Sequence, residues 1–277
     1  MTQQITAEFS MEVIGGRTLR VARWRWDMPS ELPPILFFNG IGANIEAVAP
    51  LAEGLTERRF IMFDMPGVGG SPEPVVPYNT YTMAWTAKQL IKRFGADVVD
   101  VMGVSWGGAM AQHFALQHGK HVRRVVLAAT SAGMLMVPGK PAALSKMIDP
   151  RRYVDPAFME RHFRTLYGGL TGGKAEHIGR LTPPTPRGYL YQLLAMAGWS
   201  SAPALPFLRK PVLILMGAAD NIVPLANGKF LKKLIRGAEL EVFKDGGHLF
   251  MLTHRDQTLA ALRRFLGAPD YVQAKAA

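Results

Sequence analysis

The sequence predicts an α/β protein: a mostly parallel sheet with helices on both faces and a helical segment inserted late in the chain. Three observations predict it. Short apolar runs such as Ile35-Leu36-Phe37-Phe38, Phe60-Ile61-Met62-Phe63 and Val212-Leu213-Ile214-Leu215-Met216 alternate with helical patterns, as strands buried on both faces require. The alternation stops between about Met134 and Pro206 and then resumes. Finally, the apolar run Val98 to Val104 breaks into Gly103-Val104-Ser105-Trp106-Gly107 and passes straight into the helical stretch Ala109 to Leu116.

Composition bounds the function. The chain has 277 residues, 48% of them hydrophobic, enough for one large domain or one domain with an inserted lid. The absence of cysteine excludes a disulfide framework, thiolate metal sites and a cysteine nucleophile. Met1 to Glu8 is polar, with no basic segment leading into an apolar core, and no 18-residue apolar run follows, so neither a signal peptide nor a membrane span is expected and the cytoplasm is the expected location. The formal net charge is +11, but the basic residues are scattered in pairs such as Arg58-Arg59 and Lys232-Lys233, so no nucleic-acid partner is expected, while an anionic surface stays open.

In chain order, Phe9 to Ile14 and Thr18 to Trp26 read as an antiparallel hairpin at the sheet edge, turning at Gly15-Gly16, with Arg17, Arg20, Arg23 and Arg25 as solvated edge charges. The strand at 35–38 ends in the glycine-rich loop Asn39 to Asn44, whose backbone can turn N–H groups towards a ligand. The strand at 60–63 runs into Asp64, read as an acceptor for backbone amides of the turn that follows. Tyr78 to Phe94 reads as a crossover helix, and Val125 to Thr130 as a strand with no carboxylate at its end. The interruption, 134–206, is read as a helical cap between core segments 1–133 and 207–277. Pro and Gly punctuate it at Tyr167-Gly168-Gly169, Thr171-Gly172-Gly173 and Pro183-Pro184-Thr185-Pro186. Methionines in or beside it, Met134 and Met136 among them, pack on the core or line an apolar channel. Strand 211–216 leads to Asp220, Leu225 to Ile235 reads as a helix, strand 240–243 leads to His248, and Thr253 to Leu266 closes the domain before a frayed tail after Pro269.

Ser105 sits where strand turns into helix, a position that exposes its hydroxyl and aims helix N-terminal amides at a developing oxyanion. A serine hydroxyl needs an imidazole to take its proton and a carboxylate to orient that imidazole. His248 and Asp220 follow later strands in the required order. Six other histidines, His113, His118, His121, His162, His177 and His254, have surface explanations, and Asp64, Asp97 and Asp245 compete less well for the acid. The Trp106 amide, with Ile41 from the loop after 35–38, is expected to form the oxyanion hole. Asn39, Met134, Met136 and Leu249 are expected at the substrate. No metal-ligand spacing, P-loop or dinucleotide fingerprint occurs, so neither metal nor cofactor is expected.

The order of elements resembles the α/β-hydrolase fold. Phe37 to Ala43, Phe63-Asp64-x-Pro66 to Ser71, Gly103 to Ala109, Leu127-Ala128-Ala129-Thr130 through Met136 to Pro141, Pro150-Arg151-Arg152-Tyr153-Val154 and Asp245-x-Gly247-His248-Leu249-Phe250 together resemble intracellular poly(3-hydroxyalkanoate) depolymerases of medium-chain-length polyesters, over about Leu32 to Leu266. The resemblance implies a Ser105–Asp220–His248 triad acting without a cofactor on hydrophobic polyester of cytoplasmic storage granules. Leu170 to Thr185 and Gly217-Ala218-Ala219 depart from that pattern. The alternatives are a carboxylesterase or lipase with the same triad, a perhydrolase, C–C bond hydrolase or lyase on the same fold, and a non-enzymatic granule-coat protein. No motif sets the oligomeric state.

Overall fold

The computed structural model describes residues 6–170 and 174–267. The segment read for a leader at its very start (1–5), the Thr171-Gly172-Gly173 punctuation and the tail after Pro269 lie outside them. Among the described residues one eight-stranded sheet is formed by β1 (Glu8–Ile14), β2 (Arg17–Trp24), β3 (Ile35–Phe38), β4 (Phe60–Phe63), β5 (Val99–Val104), β6 (Val122–Ala128), β7 (Val212–Gly217) and β8 (Glu239–Phe243), in the order β1-β2-β4-β3-β5-β6-β7-β8. The helices are α1 (Ala49–Gly54), α2 (Thr80–Arg93), α3 (Trp106–Gln117), α4 (Pro141–Met147), α5 (Arg151–Val154), α6 (Pro156–Tyr167), α7 (Lys174–Arg180), α8 (Pro186–Met196), α9 (Leu225–Leu234), α10 (Phe250–Thr253) and α11 (Arg255–Gly267).

From β4 to β8 the sheet is parallel, and only the β1–β2 hairpin and its seam with β4 are antiparallel. Period-two alternation explains the two-sided burial. In β5 and β6, Val101, Val125 and Leu127 enter a core with α2, α3 and α9, while Met102, Val126 and Ala128 enter the opposite core with α1, α10 and α11. The chain leaves β3 towards β4 on one side and reaches β5 on the other, so a crevice opens at the carboxyl ends of β3 and β5. Helices α4 to α8 all come between β6 and β7.

Two edge arginines differ from expectation. Arg25 is buried, donating from Nε to Arg58 O at 2.6 Å, because its side chain crosses to the loop after α1. Arg20 bridges Glu46 at 2.6 Å and Asp64 at 3.3 Å. These charges tie the hairpin to the sheet's interior loops rather than guarding a wet edge.

Candidate active site

Ser105 has φ 55° and ψ −120°, in the left-handed region that non-glycine residues rarely adopt. Hydrogen bonds on both sides of the residue hold it there. Ser105 N–H donates to Ala128 O at 2.9 Å, while Ser105 O accepts from Gly108 N at 2.9 Å and from the Thr130 hydroxyl at 2.7 Å. The glycine at 107 is obligatory, since a Cβ there would overlap the carbonyl oxygen of Phe38. The G-x-S-x-G spacing is thus what lets α3 start against β3 and β5 with Ser105 at the tip.

The loop after β7 carries Asp220. Its Oδ1 accepts Ile222 N–H at 2.7 Å and Val223 N–H at 2.9 Å, and its Oδ2 accepts Nδ1–H of His248 at 2.8 Å. Both residues are buried. Donation from Nδ1 leaves Nε2 as the basic nitrogen of the neutral ring. Ser105 and His248 line the same pocket. The rival carboxylate Asp64 is engaged elsewhere: Ile45 N–H donates to Oδ1 at 2.8 Å and Gly70 N–H to Oδ2 at 2.9 Å. Burial pushes its carboxyl up to about 6, against the downward pull of those amides and Arg20.

Among the described residues no acceptor pairs with the backbone N–H of Trp106 or Ile41. The Ile41 loop is braced from inside, Asn39 Nδ2 donating to Asn44 O at 2.8 Å and Gly40 N–H to Asn39 Oδ1 at 2.9 Å. It is also braced by the inserted helices. Gln192 Oε1 accepts Gly42 N–H at 2.8 Å, Gln192 O accepts the Trp106 indole N–H at 2.9 Å, and the Tyr153 hydroxyl donates to Ile41 O at 3.1 Å. One buried residue of α8 therefore holds both loops whose amides would face an oxyanion.

The insertion also grips the His248 loop. Tyr167 O accepts His248 N–H at 2.7 Å, and the two rings lie 8° from parallel with centroids 6.4 Å apart. Gly168, at φ 69°, bridges to Asp220, and a Cβ there would overlap Ala219 O.

Of the expected substrate contacts, Asn39 and Leu249 line the pocket. Met134 and Met136 do not. Met134 N–H donates to Trp199 O and its side chain is 68% exposed, while Met136 offers its sulfur to the Ser131 hydroxyl at 3.7 Å. Met147 and Met251 are the lining methionines, joined by Arg152, Tyr153, Tyr167 and His177. His177 corrects its surface reading: it is 6% exposed, and burial, aided by Arg180, pushes its imidazole down to about 4. Arg152, Tyr153 and Tyr167 lay in motifs noticed in the sequence, without assigned roles. Gln192 carried no signal, because a lone glutamine in a helical pattern reads as surface. Among the described residues no group of three His, Asp or Glu side chains is placed to hold a metal ion, and no helix is long and apolar enough to cross a membrane.

The family model of the alpha/beta hydrolase fold matches residues 33–166 and 180–255. The chain belongs to the α/β-hydrolase family, and it is a hydrolase. It is 41% identical over 240 residues to a poly(3-hydroxyalkanoate) depolymerase of Ectopseudomonas oleovorans, covering 85% of this chain and 84% of that one. It is 29% identical over 259 residues to a pimeloyl-[acyl-carrier protein] methyl ester esterase of Neisseria meningitidis, covering 90% of this chain and 98% of that one. A crystal structure of a hydrolase from Pseudomonas aeruginosa superposes with a TM-score of 0.78 at 21% identity, covering 94% of this chain and 99% of that chain, a likeness of fold.

Proposed function

We propose that this chain is a serine hydrolase of carboxylic esters that depolymerises medium-chain-length poly(3-hydroxyalkanoate). Ser105 Oγ attacks the ester carbonyl, and His248 Nε2 takes its proton. Asp220 fixes the tautomer and stabilises the imidazolium. The N–H groups of Trp106 and Ile41 bind the tetrahedral oxyanion. The alcohol leaves with the proton from His248, and water, activated by the same imidazole, hydrolyses the acyl-enzyme. No cofactor takes part.

One observation carries the reading. Ser105 shares a pocket with His248, whose Nδ1 is held by Asp220, and much of the rest of that lining is apolar, including Val104, Met147, Leu249 and Met251. The depolymerase relative supports the polyester as substrate. In this reading 1–133 with 207–277 is the hydrolase core and 134–206 the cap that roofs the pocket. Exposed cap residues such as Ile148, Val154, Leu194 and neighbouring Phe207 suit contact with a granule surface in the cytoplasm.

The methyl ester esterase relative favours a second reading, a carboxylesterase for small or lipid esters with the same residues. Purified protein assayed on emulsified medium-chain polyester beside a chain-length series of 4-nitrophenyl esters separates the two. Release of hydroxyacid from the emulsion supports depolymerisation. Turnover confined to short soluble esters supports the second reading.

A further inference from the structure

Arg152, on α5, is 5% exposed and lines the pocket of Ser105 and His248. Its Nη1 donates to the Met147 sulfur at 2.8 Å, and its Nη2 to the hydroxyls of Tyr153 and, at 3.4 Å, Tyr189. Its guanidinium lies over both phenol rings, 4.2 Å and 5.7 Å from their centroids. Its Nε is buried without a partner, and among the described residues no carboxylate pairs with it. Arg25 and Arg58 also each bury one guanidinium nitrogen without a partner, but their remaining donors meet stronger acceptors. Arg58 meets Asp100 at 2.6 Å, and Arg25 donates to two backbone carbonyls.

A guanidinium keeps its charge in proteins, and here the ring faces and hydroxyls of two phenols and a thioether attract it but no anion neutralises it among the described residues. The fork geometry of arginine suits a carboxylate. Arg152 also touches Tyr153, whose hydroxyl donates to Ile41 O on the loop after β3, and it lines the same pocket as Ser105 and His248.

We propose that Arg152 receives a carboxylate of the substrate, an inference that rests on the polyester reading above. In an ester of two 3-hydroxyacids, the alcohol half carries a free carboxylate three bonds from the scissile oxygen. Arg152 would hold that carboxylate while Ser105 Oγ bonds to the ester carbonyl carbon. The bond from that carbon to the hydroxyacid oxygen then breaks. The serine proton passes through His248 to the departing oxygen, and a hydroxyacid leaves with its carboxylate still ionised. Water completes the cycle. The pocket thereby prefers esters that end in a free acid, whether a soluble oligomer or the end of a longer chain.

The test uses 3-hydroxyalkanoate dimer and decamer, each as free acid and as methyl ester. The readout is the ratio of kcat/KM for acid over methyl ester, taken on one preparation so that the folded fraction cancels. Wild type should favour the acid by about tenfold or more, mostly through KM. Arg152→Met should bring the ratio to about one, and Arg152→Lys should keep part of it. Preference for the acid with both lengths assigns the chain end, and with the dimer alone the soluble oligomer; either supports the site. A wild-type ratio near one, or a ratio unchanged by Arg152→Met, overturns it and leaves the arginine a packing residue. If polymer is not hydrolysed while the acid preference holds, the depolymerase reading fails and the carboxylate site stands.

Discussion

Strand β5 sends Val101 into one core and Met102 into the other, both fully buried, whereas helix α8 buries Gly188, Gln192 and Ala195 and leaves Leu190, Leu193 and Leu194 about half exposed. Apolar burial on two faces holds the strand. The helix lays only a narrow apolar stripe, Ala195 with Tyr191 and Met196, on the core, and adds one buried polar anchor, Gln192. The sheet and the insertion accordingly divide the site. Loops at the ends of β5, β7 and β8 carry Ser105, Asp220 and His248. The insertion contributes the grip on the Gly42 and His248 loops and about a third of the pocket wall.

The predictions turn on that division. The largest effect should come from Ser105→Ala, which removes the proposed nucleophile and should lower kcat/KM on any ester by about 10⁴-fold or more, with a thermal midpoint near wild type. Next, the same glycine-to-alanine change made in each region should act differently. Gly107→Ala drives a Cβ into Phe38 O within the sheet and should destabilise by about 3 kcal/mol or more in urea unfolding. Gly168→Ala drives one into Ala219 O where the insertion meets the loop after β7 and should instead lower kcat about 100-fold, with a smaller loss of stability. Equal stability losses would erase the distinction. Third, Gln192→Leu should lower kcat about tenfold with little change in KM, because the loop proposed to supply the Ile41 amide loses the side-chain tie at Gly42 N–H, while the backbone carbonyl at 192 still accepts the Trp106 indole N–H.

The smallest effects are in pH dependence, and the two regions should oppose each other. Between about 4 and 6.5 the unfolded chain binds a proton that folded His177 does not, so this residue's contribution rises with pH and is lost as pH falls through that window. His177→Phe should remove on the order of 2 kcal/mol of that dependence. Asp64 acts the other way. Between 3.8 and about 6 the folded chain keeps a proton that the unfolded chain has released, so its contribution falls as pH rises, and Asp64→Asn should flatten that limb. Urea midpoints across pH 4 to 7.5 read both.

Legibility follows the same boundary. Strands β3 to β7 were readable because burial on both faces imposes apolar runs, and Ser105, Asp220 and His248 drew notice because each follows a strand. Asp64 was readable as a turn acceptor from its place before Pro66-Gly67. The insertion was harder. Its helices bury narrow stripes, so in the sequence His177 has a surface reading, Met134 is placed at the substrate and there is no sign of Gln192. Contacts such as Gly42 with Gln192 join residues far apart in sequence, and a polar side chain at one end of such a contact leaves no periodic trace. Arg20 and Arg25 misled for a related reason. A long side chain on an edge strand can turn inward, and residue type alone does not say so.

Activation of Ser105 by His248 and Asp220 is the central proposal for this chain. Labelling with a serine-reactive phosphonate, followed by peptide mapping, tests this most directly. A single adduct on Ser105, forming in step with loss of ester hydrolysis and slowed by Asp220→Asn, is the predicted result. Full inactivation with the adduct on another residue, or ester turnover that persists after Ser105 is quantitatively labelled, would contradict it.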